Sequence, residues 1–220
     1  MSAAASLLGA ALGAGLGARH ALEPDHLAAI SVLAAERPGT RRGVLLGAAW
    51  GAGHSLTLLA CGLGAAMVAG GPPHLKAPSD FFESVVAVML VALGGRAVLR
   101  AARSPPAHGE HAHGVIRPPR RAGALRPLLV GMVHGLAGSG ALIALVTIRL
   151  PGAGARLAFI SAFGAGSIVG MSVISGLAGW PLERAARHPA AARWLLGTTG
   201  AASALLGLAW GLSVHLRGGP

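Results

Sequence analysis

The sequence predicts an all-α integral membrane protein of about six transmembrane helices, on the basis of its composition and the length of its apolar segments. Hydrophobic residues make up 53% of the chain and charged residues 11%, with a mean hydropathy of +0.64. An average soluble domain is about 25% charged. Apolar stretches of about 20 residues, the length that spans a bilayer core, recur along the chain. They are rich in Ala, Leu and Gly and do not alternate with polar residues, which indicates helices and not barrel strands.

Six spans are predicted, separated by the prolines, glycines and charged residues that are typical of turns. The spans cover residues 4–35, 44–69, 81–102, 125–148, 157–181 and 194–216. The expected organisation is a three-helix membrane repeat at 1–102, a cytoplasmic loop rich in His, Arg and Pro at 103–123, and a second three-helix repeat at 124–220.

The distribution of arginines predicts the orientation of the chain. Arginines gather after span one, around the third connection and before span six, for example at Arg37, Arg41, Arg42, Arg184, Arg187 and Arg193. The positive-inside rule makes these connections cytoplasmic and places both termini outside. We therefore expect a multi-pass protein of the cell membrane, the bacterial inner membrane, with the lipid bilayer as its partner and its oligomeric state left open. The net charge of +11 is spread over these connections, so no nucleic-acid partner is expected.

A weak internal repeat relates the two halves. Residues 17–22 (GARHAL) align with 131–136 (GMVHGL), and residues 53–55 (GHS) align with 170–172 (GMS). Because three spans per half is an odd number, the two halves are predicted to be inverted relative to each other, as in many secondary transporters.

Span one holds a dense group of ionisable residues, which marks a functional site at membrane depth. His20, Glu23, Asp25 and His26 surround Pro24, and span two adds His54. A regular helix would scatter these side chains. Pro24 removes a backbone donor and clashes with the preceding turn, so the first helix is predicted to break near Pro24 and to let the side chains converge.

The ligand types indicate a late first-row transition metal. Imidazole nitrogen suits nickel, cobalt, zinc and copper, whereas a sodium or magnesium site would be built from oxygens. A carboxylate beside the imidazoles would offset part of the charge of the cation. The sequence therefore predicts a divalent transition-metal cation as cargo, with import and export equally open.

Residues 20–26 (HALEPDH) resemble the HxxxxDH signature of the nickel/cobalt transporter family, and Gly53-His54-Ser55 resembles the second motif of that family. The chain is most similar to the six-span UreH-like nickel permeases of the family. This resemblance implies Ni²⁺ or Co²⁺ as a transported substrate, no prosthetic group, and a metal site formed by His20, Asp25, His26 and His54. Glu23-Pro24 stands where the family often has Asp-Ala, which adds an acid or shifts the ligand geometry.

Further polar residues are secondary candidates. Glu23, Ser55, His134 and Ser139 are predicted to line the path of the metal, although His134 could equally bind a backbone carbonyl. The His-rich loop adds His108, His111 and His113, which could collect metal or form an ordinary solvated loop.

Two other functions compete with the metal carrier. An intramembrane serine protease of the rhomboid type could use Ser139, but span six lacks an interior histidine to activate it. A zinc metalloprotease is not indicated either, because the sequence contains no HExxH motif. A transporter of another small solute could use Arg19 for an anion, but the neighbouring acids would repel one. We therefore expect a transporter and not an enzyme.

Overall fold

A computed structural model describes residues 3–67, 76–103, 123–136 and 153–217, and all regular structure within these ranges is α-helical. The helices are α1 (Ala3–His20), α2 (Pro24–Glu36), α3 (Thr40–Met67), α4 (Lys76–Arg103), α5 (Leu125–Gly135), α6 (Ala153–Ala185) and α7 (Pro189–Arg217). The predicted all-α class is therefore confirmed. The loop predicted at 103–123 lies almost wholly outside the described residues, as does the second part of predicted span four.

Four of the described helices are long and apolar enough to cross a bilayer. These segments are Thr40–Cys61, Asp80–Arg103, Gly154–Ala185 and Pro189–Arg217. Their helices extend a few residues beyond the predicted spans, because polar residues continue the helix past the apolar core. Pro181 lies inside α6, so the predicted end of span five at that proline is too early. Large apolar side chains such as Leu177, Leu205 and Leu212 are exposed on the outer surface, as expected for helices that face lipid.

The predicted break in the first span lies between α1 and α2. The helix ends at His20, the backbone of Glu23 is extended (φ −63°, ψ 144°), and Pro24 begins α2. Proline is well suited to this first position, because its missing N–H would have no partner within the helix. The backbone N–H of Leu27 then bonds the Glu23 carbonyl at 3.0 Å and starts the new helix. The break therefore places the last turn of α1 next to the first turn of α2.

Helices α3 and α6 run antiparallel and pack through glycines. Gly43 lies against Ser175, Gly47 against Met171 and Gly51 against Ile168, so the contacts descend one helix as they ascend the other. A β-carbon at Gly43 or Gly47 would overlap the backbone of α6. Small residues thus allow the two backbones to approach closely, as in other membrane helix pairs.

Two parallel helix pairs flank this central pair. Gly17 of α1 packs on Phe163 and Ser167 of α6, and the Ser167 hydroxyl donates to the Gly17 carbonyl at 3.2 Å. On the other side, Gly131 of α5 packs on Trp50 of α3. Each pair buries a glycine at the height of the cluster described below.

Helices α4 and α7 form a second antiparallel pair. Gly94 contacts Gly200, and Gly207 contacts Ala87, with close backbone approach at both points. The hydroxyl of Ser203, buried between the helices, donates to the Leu90 carbonyl at 3.1 Å. Helix α2 packs against this pair and against α6, so the short helix with the predicted site residues is enclosed by the bundle.

Candidate metal centre

Three histidines meet at the α1–α2 break. His20 is the last residue of α1, His26 lies in the first turn of α2, and His54 comes from the middle of α3. Nε2 of His20 lies 3.2 Å from Nε2 of His54, and the ring centroid of His26 lies 4.4 Å from that of His20. A ligand atom from each ring lies within 4.8 Å of the others. Because all three side chains are buried, with 4%, 1% and 0% exposure, the imidazoles share one enclosed space.

Asp25 connects this group to a fourth histidine. Its Oδ1 lies 3.0 Å from Nδ1 of His26, and its Oδ2 lies 2.8 Å from Nε2 of His134 on α5. The ring centroids of His26 and His134 are 4.4 Å apart. A ligand atom from each of Asp25, His26 and His134 lies within 4.8 Å of the others. His134 thus contacts the Asp25 carboxylate, and not a backbone carbonyl as the alternative prediction had it.

The carboxylates lie on the Nδ1 side of two imidazoles. Asp25 accepts from Nδ1 of His26, which leaves the Nε2 lone pair of the neutral ring available. This Nε2 is buried and has no hydrogen-bond partner among the described residues. Oε1 of Glu23 approaches Nδ1 of His20 to 2.8 Å, although without the alignment of a good hydrogen bond, and Glu23 is 49% exposed. Carboxylates placed behind imidazoles in this way commonly orient metal-binding histidines.

Aromatic side chains close the space on two sides. The fully buried indole of Trp50 stacks on His26 with centroids 5.5 Å apart and meets the edge of His134 at 5.5 Å. The ring of Phe163 on α6 lies 5.5 Å from His20. These contacts hold the imidazoles in fixed directions and keep bulk water away from the ring faces.

The geometry fits a cation between the imidazoles. Two nitrogens bound to one metal at about 2.0–2.1 Å lie about 3.0 Å apart at a right angle and about 3.4 Å apart at the tetrahedral angle. The 3.2 Å between the Nε2 atoms of His20 and His54 falls in this range. The two nitrogens could therefore bind one metal ion without movement of α1 or α3.

The other predicted residues lie in different places. The Ser55 hydroxyl donates to the Gly164 carbonyl at 3.0 Å, so it takes part in the α3–α6 contact and not in the cluster. Arg19 is exposed. Ser139 and the loop histidines His108, His111 and His113 lie outside the described residues.

A buried ion cluster was missed by the sequence analysis. The Glu36 carboxylate is 3% exposed at the end of α2 and pairs with Arg100 of α4 at 3.0 Å and with Arg126 of α5. The predicted first span ends at residue 35, which places Glu36 in the turn that follows it. A signal was present: Glu36 follows Asp25 by eleven residues, about three helical turns, so both acids lie on the same face of α2.

These features define a class: a multi-pass membrane protein with a buried imidazole and carboxylate cluster at a helix break. Comparison with known proteins finds that the chain is 31% identical over 208 residues to the urease accessory protein UreH of Bacillus sp. (strain TB-90). The match covers 90% of this chain and 87% of the relative. The chain belongs to the UreH-like branch of the nickel/cobalt transporter family. No protein-family model matches the chain, and no solved structure matches it significantly.

Proposed function

We propose that this protein carries a divalent transition-metal cation, nickel or cobalt, across the membrane by alternating access around the buried cluster. The observation that carries the proposal is the convergence of His20, His26 and His54, beside Asp25, on one enclosed space at a helix break. Such a set of side chains is costly to bury in a membrane protein and is expected where it serves a function such as an ion path. Membership in the UreH-like branch of the nickel/cobalt transporter family supports nickel as cargo.

The ligand chemistry supports a late transition metal over other cations. Imidazole nitrogens dominate the cluster, and they suit nickel, cobalt, zinc and copper better than magnesium or calcium. Asp25 supplies one negative charge that offsets part of the charge of a dication. The metal ion is the transported substrate, and we propose no prosthetic group and no enzymatic reaction.

We further propose six spans in two inverted repeats, with residues 1–102 and 124–220 as the two halves. The packing supports this arrangement: α3 and α6 are antiparallel, while α1 runs parallel to α6 and α5 runs parallel to α3. Helices α1 and α5, which correspond in the repeat, therefore run in opposite directions. The contact of Gly17 with Ser167 on one side matches that of Gly131 with Trp50 on the other. Inverted repeats of this kind commonly place the cargo site between their halves.

The proposed orientation follows from the arginines. With the arginine-rich connections in the cytoplasm, both termini lie outside and the Glu36 cluster lies on the inner side of the metal centre. His108, His111 and His113, in the proposed cytoplasmic loop at 103–123, would then collect metal on that side. Ser139 remains a proposed residue of the path.

The direct test is metal accumulation in cells that produce the protein. Nickel, cobalt, zinc and manganese contents would be measured by mass spectrometry in cells with the wild type, with the His26→Ala variant, and with His215→Ala as a control. His215 is exposed near the end of α7, so its loss should leave transport unchanged.

We expect the wild type and the control to change cellular nickel or cobalt, and His26→Ala to abolish the change. The sign of the change distinguishes import from export. A fourth culture without the protein gives the baseline. Equal metal contents in all four cultures would contradict the proposal. A change in another solute but in no metal would instead favour a different carrier on the same plan.

A further inference from the structure

The cluster at the helix break contains two sets of three ligands that share one residue. The first set is His20, His26 and His54, and the second is Asp25, His26 and His134. The resemblance to the transporter family predicts Asp25 as a ligand beside His20, His26 and His54. In the structure its two oxygens instead face His26 and His134, so the carboxylate belongs to the second set.

The two sets use different helices. The first draws on α1, α2 and α3, which all come from the first half of the chain. The second joins α2 to α5 of the second half through Asp25 and His134. A cation in the first set would therefore contact one half only, whereas a cation in the second set would hold both halves together.

The shared histidine makes the two sets exclusive. A neutral imidazole has one lone pair, because its other ring nitrogen carries a proton. His26 presents Nδ1 toward Asp25 at 3.0 Å, while its Nε2 is buried without a hydrogen-bond partner among the described residues. Nδ1 thus lies on the side of the second set, and Nε2 is available to the first set. Because a neutral ring has only one lone pair, His26 can bind a cation in one set at a time.

We propose that the cation occupies two successive positions that share His26: a first position at His20, His26 and His54, and a second position at Asp25, His26 and His134. This inference rests on the proposed function, and it adds a metal position with a carboxylate oxygen and a ligand from the second half. As the cation passes from the first position to the second, Nδ1 of His26 loses its proton and Nε2, released by the cation, gains one, so the ring stays neutral and the number of protons is unchanged. One ion is bound per chain at any moment.

Occupancy of the second position would link cargo to conformation. Glu36 and Arg126 join the opposite ends of α2 and α5, so a cation between Asp25 and His134 adds a second strong link between these helices. A ligand shifts a conformational equilibrium only by its difference in affinity for the two states. Because the second position needs α5 close to α2, an ion there favours the state in which the two halves are together.

The test uses the purified full chain in lipid nanodiscs, with Co²⁺ as a probe whose visible absorption reports its ligands. His134→Ala removes the second position, His54→Ala removes the first, and His215→Ala is the control. We expect both site variants to bind one Co²⁺ with absorption spectra that differ from each other. Transport in proteoliposomes should fall at least about tenfold in both, the lower end of the losses seen when groups around a metal are removed.

Two outcomes would overturn the inference. One is wild-type transport by His134→Ala. The other is loss of all binding in either single variant, which would mean that the residues form one joint site. If the wild type itself binds no Co²⁺ or Ni²⁺, it is the proposed function that fails.

A second measurement needs no variant. X-ray absorption of the Ni²⁺-loaded wild type counts the imidazole rings on the metal. If the cation exchanges between the two positions, the average number of imidazole rings on the metal should lie between two, as in the second set, and three, as in the first. A full three rings with no carboxylate, or all four histidines at once, would contradict two positions even if no His134 variant folds.

Discussion

Oδ2 of Asp25 lies 2.8 Å from Nε2 of His134, although the two residues are 109 positions apart in the chain. This contact joins the broken first span to α5, and both side chains are buried, with 7% and 1% exposure. A carboxylate and an imidazole at this distance satisfy each other when no cation is present. If the proposed second position is right, these same two atoms would be ligands of the cation.

Acidification should weaken metal binding. Neutral imidazole binds a metal and protonated imidazole does not, so protons compete with the cation for the histidines of the cluster. Lowering the pH stepwise from about 7.5 to about 4, a range that includes the low values histidines reach in buried sites, should raise the Kd for Co²⁺ once the ring nitrogens gain protons. Isothermal titration calorimetry in nanodiscs would measure the change. A Kd that stays constant or falls over this range would argue against imidazole ligands.

The Glu23→Gln substitution should weaken binding without unfolding the protein. Glu23 is 49% exposed, and its carboxylate approaches Nδ1 of His20 to 2.8 Å, so the change removes a negative charge behind one ligand. We expect the affinity for Ni²⁺ to fall about tenfold, the lower end of the range for carboxylates behind metal-bound histidines, because solvent partly screens this half-exposed group. Glu183→Gln, at an exposed glutamate near the end of α6, is the matched control. Equal affinities for the two variants would remove Glu23 from the site.

Neutralising Glu36 should destabilise the fold. The 3%-exposed carboxylate lies between Arg100 and Arg126, so Glu36→Gln leaves two guanidinium groups facing a neutral amide. Breaking a buried ion pair commonly lowers the free energy of unfolding by about 3–5 kcal/mol. Glu83→Gln is the comparison, because its partner Arg217 is 65% exposed and such surface pairs contribute about 0–1 kcal/mol. Thermal unfolding in detergent should show a much lower Tm for Glu36→Gln; similar shifts for both variants would contradict a structural role for the cluster.

Two glycines of α1 should respond oppositely to alanine. A β-carbon at Gly17 would overlap the Phe163 carbonyl, whereas one at Gly15 meets nothing within 4 Å. Gly17→Ala should therefore push α1 from α6, lower the Tm and displace His20. Gly15→Ala should be neutral or stabilising by up to about 1 kcal/mol, from the better helix propensity of alanine. If both variants unfold at the same temperature, the close contact between α1 and α6 is wrong.

Much of the site could be predicted from the sequence because several of its residues are close together in the chain. His20, Asp25 and His26 lie within seven residues around Pro24, and a proline in an apolar run has a direct effect on its own helix. His54 could be added because an ionisable side chain inside an apolar span indicates a functional site. Residues close in sequence and constrained by backbone chemistry need little knowledge of the rest of the fold.

The remaining features could not be predicted because they depend on distances between helices. His134 was one of several secondary candidates, and no local signal distinguished it from Ser55, which binds the Gly164 carbonyl instead. The spacing of Glu36 from Asp25 places both acids on one face of α2, but its arginine partners come from α4 and α5 and could not be predicted.

The sequence by itself determined that the chain is helical, that it lies in a membrane, and that its first span breaks among side chains of types that can bind a metal. These properties follow from composition, segment length and the backbone of proline, which act locally. Only the tertiary structure decided that Asp25 faces His134, that His26 lies in two groups of side chains that could hold a metal, and that Glu36 is enclosed by arginines. The physical reason is packing: glycine contacts fix the spacing and direction of the helices, and that spacing decides which distant side chains meet.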